Sequence, residues 1–161
     1  MAELSSLYTS LGLVDVRTYV QSGNVLFTSM EGDASRLAHG IEKEIERVFG
    51  FSVPVFMRQP KDFQRIIANN PFLKRRNEDP AWLYVTFLYS PPPASRLSNL
   101  ALPGEDGDEF YVGDQEIFLF CPNGYGRTKL SNTFFERKLH VTATTRNWKT
   151  VNALYEMAMG G

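Results

Sequence analysis

Two basic, hydroxyl-rich stretches hold the residues best suited to chemistry. Arg127, Lys129, Ser131 and Asn132 lie in the first, and Thr145, Arg146 and Asn147 in the second. Both read as helix starts, where unpaired backbone N–H groups suit an anion. Lys129 offers a point charge and Arg127 a bidentate fork. The competing reading is plain helix capping, because Ser, Thr and Asn are the ordinary cap residues. A third polar set, Arg17, Gln21, Ser22 and Asn24, runs along a strand near the N-terminus and into the turn beyond it. It reads either as further hydrogen bonding to the same anion or as the polar outer face of a strand with its turn.

Other chemistries find little support. Gly124–Asn132 lacks the order of a Walker A loop, and no dinucleotide fingerprint occurs. Cys121 ends an apolar run and reads as a small buried hydrophobe; the alternative is a thiol–imidazole pair with His140. His39 is expected in solvent. One cysteine and two histidines argue against a dedicated metal site, and Glu42, Glu44 and Glu46 are wrongly spaced to share one helix face. No general base or nucleophile stands out, so no reaction and no cofactor are assigned.

The composition is that of a folded protein: 161 residues, 43% hydrophobic, 13% aromatic and 22% charged. A net charge of −1 argues against a wholesale basic nucleic-acid binder. It conceals a separation, however. Glu105, Asp106, Asp108, Glu109, Asp114 and Glu116 form an acidic region; Arg127, Lys129, Arg137, Lys138, Arg146 and Lys149 make the C-terminal third basic, with Glu136 the one acid among them. The plain reading is two solvated surfaces attracting each other. The longest apolar runs, 81–89 and 117–121, fall far short of the ~20 residues a membrane span requires. The first residues have no signal-peptide character, and a reduced, cytoplasmic setting is expected.

The hydrophobic pattern predicts the elements that must position these residues. Leu4, Leu7, Tyr8 and Leu11 predict a helix ending at Gly12, and alternation from Val14 to Gln21 predicts a strand that turns at Ser22-Gly23-Asn24 into a second. Asp33 should cap a helix over 34–49, with a strand expected over Val53–Met57. Pro60 opens a short helix, and the polar segment before Pro80 marks a boundary. Trp82–Tyr89 predicts a central strand, and Phe110–Val112 with Glu116–Phe120 a hairpin. Helices are expected over 132–139 and 146–158, the first with a Thr133/Glu136 capping box and the second capped by Thr144 or Thr145. The class is α+β: an incomplete ferredoxin-like subdomain over 1–59, a linking helix and loop over 60–80, and a second small α+β subdomain over 81–161.

Three stretches together carry a resemblance: Val16–Phe27, with its Val-Gln-Ser-Gly-Asn-Val core, Cys121–Asn132 and Thr144–Val151. In this order they resemble the motifs of a bacterial family known as domain of unknown function 1697. The resemblance implies a soluble bacterial α+β protein with a ferredoxin-like part and carries no established activity. Members of that family usually begin with an extra strand and a glycine-rich turn, whereas this sequence starts at the helix that follows. The resemblance therefore implies an uncovered sheet edge, which a second copy or an exchanged strand could fill. The leading expectation is binding of a small anionic or nucleotide-like ligand. The alternatives are nucleic-acid binding through the basic C-terminal third and a protein-interaction module that uses the open edge.

Overall fold

The computed structural model describes residues 2–19, 23–98, 100–101 and 107–160. Gln21 and Ser22, like Glu105 and Asp106, lie outside the described residues. The chain is α+β and divides into two compact units, residues 1–59 with 156–161 and residues 60–155.

The first unit contains helix α1 (Ala2–Ser10), a hairpin of β1 (Val14–Tyr19) and β2 (Asn24–Thr28), and helix α2 (Ala34–Phe49). β1 and β2 pair antiparallel with Arg17 opposite Leu26 and Tyr19 opposite Asn24; a bulge between Val14 and Arg17 coincides with positive φ at Asp15. Gly23, at φ 81°, supplies the left-handed backbone that the expected turn requires. Asp33 caps α2 by accepting the Arg36 N–H, and Gly50 ends it in the left-handed conformation. Leu7, Tyr8, Leu13, Ile41 and Ile45 form the core, and Tyr8 meets Phe27 edge-on at 5.4 Å.

The strand expected over Val53–Met57 does not form. Residues 52–59 carry no regular structure. Pro54 lacks a donor for a ladder, and the Val55 N–H is taken by the Glu42 carboxylate of α2 at 2.7 Å. A side chain thus satisfies the group that a neighbouring strand would have bonded.

The second unit begins with α3 (Pro60–Ala68) and α4 (Pro71–Lys74). It continues with β3 (Leu83–Leu88), α5 (Ala94–Leu97), β4 (Glu109–Val112), β5 (Glu116–Phe120), α6 (Asn132–Leu139), β6 (Ala143–Asn147) and the start of α7 (Trp148–Ala158). The four strands form one antiparallel sheet in the order β4-β5-β3-β6. This is a β-α-β-β-α-β succession with interleaved strands, as in a split βαβ pair. Leu88, Ile117, Leu119 and Ala143 on one face pack against Phe134, Phe135 and Leu139 of α6. The opposite face meets α3 and α4, through Phe63 on Phe87 at 5.8 Å and Phe72 on Phe120 at 5.7 Å.

Two expectations about the C-terminal third are corrected. Thr144–Asn147 is not a helix start but the body of β6, paired residue by residue with β3. β-Branched threonines suit a pleated strand, and β3, buried on both faces, is paired on both sides. The helix begins at Trp148, with the Asn147 side chain accepting the Thr150 N–H at 2.8 Å. The cap of α6 is Ser131, not Thr133; Glu136 instead accepts the Ala143 N–H at 2.9 Å.

Candidate functional site

The first and second polar stretches meet on the α6 side of the sheet. In β6 the residues alternate, so Thr145 and Asn147 share the face of Tyr84 and Thr86, their partners across β3, while Arg146 lies on the other face beside Val85. Thr145 donates its hydroxyl proton to Asn132 Oδ1 at 2.5 Å. Its oxygen lies 2.8 Å from the Thr86 hydroxyl, and because Thr145 has a single proton, Thr86 must be the donor there. The Tyr125 hydroxyl approaches Asn132 Oδ1 at 3.5 Å, and the Tyr125 and Tyr84 rings lie 5.2 Å apart at 35°.

This chain of protons fixes the Asn132 carboxamide. Its oxygen is engaged, while its Nδ2 makes no hydrogen bond among the described residues. Asn147 is arranged likewise, with its oxygen held by the Thr150 N–H. Arg127, in the 3-10 turn Tyr125–Arg127, and Lys129 are both exposed and have no ion pair among the described residues. The groups left over here are these donors and cations together with one acceptor: Asp108 takes the Thr128 hydroxyl proton on Oδ2 at 2.6 Å, and its Oδ1 is buried without a hydrogen bond among the described residues.

The other expected residues are placed differently. Ser131 spends its hydroxyl oxygen on the Phe134 N–H. Arg146 donates to Thr144 Oγ1 and to the Thr145 carbonyl, both at 2.9 Å, and burial lowers its pKa. Tyr89 donates to the Thr142 carbonyl, so Thr142, Thr144 and Arg146 turn their backbone toward β3, and Ala143 and Thr145 turn theirs to the open edge. Glu136 and Arg146 therefore cover edge groups of β6, a local device against unwanted strand pairing. In the first unit, Arg17 donates to the Met157 carbonyl at 2.7 Å near the end of α7, and Asn24 donates to the Tyr19 carbonyl at 3.0 Å.

Among the described residues the acidic region meets the basic loop through one hydrogen bond, from the Thr128 hydroxyl to Asp108 at 2.6 Å, and not through an ion pair. Its ionic partners come from α3 and the segment after α4. Arg65 grips Glu116 with two hydrogen bonds of 2.9 and 3.1 Å and lies 3.9 Å from Asp114, while Arg76 pairs with Glu109 and Glu78. Arg76 also lies over the Phe72 and Phe120 rings. The hydrogen bond to Glu116 raises the pKa of Arg65. Glu116 is fully buried, and sequence reasoning missed it. The available signal was its register with Phe118 and Phe120, which puts a carboxylate on an apolar face.

Cys121 is buried, whereas His140 is exposed and ends α6 with positive φ. Burial pushes the Cys121 thiol up to about 11. At pH 8 only about one such thiol in a thousand is ionised, so a thiol reagent should label the native protein far more slowly than the chain in denaturant. Equal rates would contradict this burial.

The family model described as "Protein of unknown function (DUF1697)" matches residues 1–118. A conserved bacterial protein, SP0830 from Streptococcus pneumoniae, has a solved structure similar to this one, with 27% identity and a TM-score of 0.73. The similarity covers 98% of this chain and 88% of that one. No curated protein matches significantly.

Proposed function

Because the chain belongs to the DUF1697 family, whose description assigns no activity, we propose from its own geometry that it binds a small anion at the face shared by the Tyr125–Asn132 segment and β6. The single observation behind this reading is the fixed Asn132 amide, which leaves a donor in the same segment as Arg127 and Lys129, two exposed cations with no ion pair among the described residues. The Asn132 Nδ2 and the two cations are donors, and a deprotonated phosphate or carboxylate supplies acceptors for them; the Asp108 carboxylate at Thr128 opposes an anion, so the cations must outweigh it. The site is read as a binding site, and no reaction is assigned to it.

The test is titration with inorganic phosphate, followed through backbone amide resonances. Saturable shifts confined to 124–132 and 144–147 are expected. Arg127→Ala and Lys129→Ala should each weaken binding by about tenfold or more, the value of a hydrogen bond to a charged group. Unchanged affinity in both variants would remove the reading. Binding of a polyanion instead, falling steeply with salt, would favour the nucleic-acid alternative.

A second reading concerns the first unit, where β1 pairs only with β2 among the described residues. An open hairpin edge supports strand addition by a second copy. Sedimentation should then show a concentration-dependent dimer, and a monomer at every concentration would reject it.

A further inference from the structure

We infer that the ligand of this site is a monophosphate ester carrying a planar ring, with the ring held against Tyr84 and Tyr125 and the phosphate by Arg127 and Lys129. This rests on the anion reading above and adds the other half of the ligand. Tyr84 and Tyr125 are half-buried and packed against the core of the second unit. Their rings are tilted by 35° rather than stacked flat. The Tyr84 hydroxyl has no hydrogen bond among the described residues, although a half-buried phenol normally finds one. Aromatic faces of this kind accept a nucleobase or a similar ring by stacking, whatever its sequence of substituents.

The hydrogen-bonding groups around the two rings narrow the choice. Asn132 touches Tyr125, and Asn147 stands directly across the strand pair from Tyr84. Both amides have their oxygens engaged, and their nitrogens make no hydrogen bond among the described residues. A ring edge rich in carbonyl acceptors is therefore matched, and a ring edge of amines is not. Arg127 and Tyr125 belong to the same short turn. Two cations suit the charge of a single phosphate monoester.

Uridine 5′-monophosphate, with two ring carbonyls, is the probe, and inorganic phosphate is its comparator. The expected result is binding of the nucleotide about tenfold tighter than phosphate, the lower part of the range for stacking on an aromatic side chain. Tyr125→Leu should abolish that advantage and leave the phosphate affinity in place, and Tyr125→Phe should keep it. If Tyr125→Leu fails to fold, ring-to-ring proton contacts between the unmodified protein and the bound nucleotide decide the question; their absence overturns the inference. Equal binding of nucleotide and phosphate overturns it and leaves the anion reading standing. Binding of neither probe removes the anion reading itself and the inference with it. A uridine-rich oligonucleotide that binds far more tightly than the monophosphate, with steep loss in salt, overturns it in favour of nucleic-acid binding.

Discussion

Arg65→Met should destabilise the second unit by about 3 kcal/mol, read as a fall in the urea midpoint with an unchanged slope. The variant strands the Glu116 carboxylate, which is 0% exposed, without its bidentate partner. The usual loss on breaking a buried pair is about 3–5 kcal/mol, and the lower end applies because the Arg65 side chain is 37% exposed and partly screened. Replacing both partners, as Arg65→Met with Glu116→Leu, should recover most of the loss, because no buried charge then remains. The site also explains Gly113. A Cβ there would lie 2.1 Å from Glu116 Oε2, so Gly113→Ala must push the carboxylate away from Arg65. The effects of Gly113→Ala and Arg65→Met should not add, since both act on one contact. A loss below about 1 kcal/mol for Arg65→Met would show that the pair is weak in solution.

Phe135→Ala should cost about 3–5 kcal/mol, the range for deleting a buried phenyl ring. Phe135 is fully buried and meets Phe110 and Phe134 edge-on at 5.7 and 5.1 Å. It fastens α6 to the sheet, and α6 begins with Asn132. The loss should therefore appear twice, as a lower urea midpoint and as weaker phosphate binding at temperatures where the variant is still folded. Phe135→Leu, which keeps much of the volume, should retain both properties to a greater degree. A Phe135→Ala protein of native stability would mean that this ring is not the anchor of α6.

Local patterns were enough for much of the architecture. Alternation from Val14 onward and the Gly23-Asn24 turn predict the first hairpin, and Asp33 and Gly50 mark the ends of α2. The Phe110–Phe120 hairpin and the Gly12 helix stop were equally readable. Each rests on neighbours a few residues apart, where backbone sterics and capping decide the outcome. β6 was not readable in this way. Thr144, Thr145 and Asn147 satisfy a helix-cap pattern as well as they satisfy a strand, and the choice was made by β3, about sixty residues earlier in the chain. Val53–Met57 shows the reverse: a strand-like pattern whose central N–H was claimed by a glutamate on α2.

The candidate site divides along the same line. Residue type alone marked Arg127, Lys129, Asn132, Thr145 and Asn147 as groups able to hold an anion. Only the sheet register separated Arg146 from them, by placing it on the opposite face, and only the same register brought Tyr84 and Thr86 to their side. The pairing of the acidic region was equally hidden. Charge counting suggested attraction to the basic loop, yet Glu116 and Glu109 pair with Arg65 and Arg76. Composition, element type and capping follow from short-range forces that the order of residues encodes directly. Which face a side chain occupies, and which charge neutralises it, depends on contacts between distant segments, and these exist only once the sheet has closed.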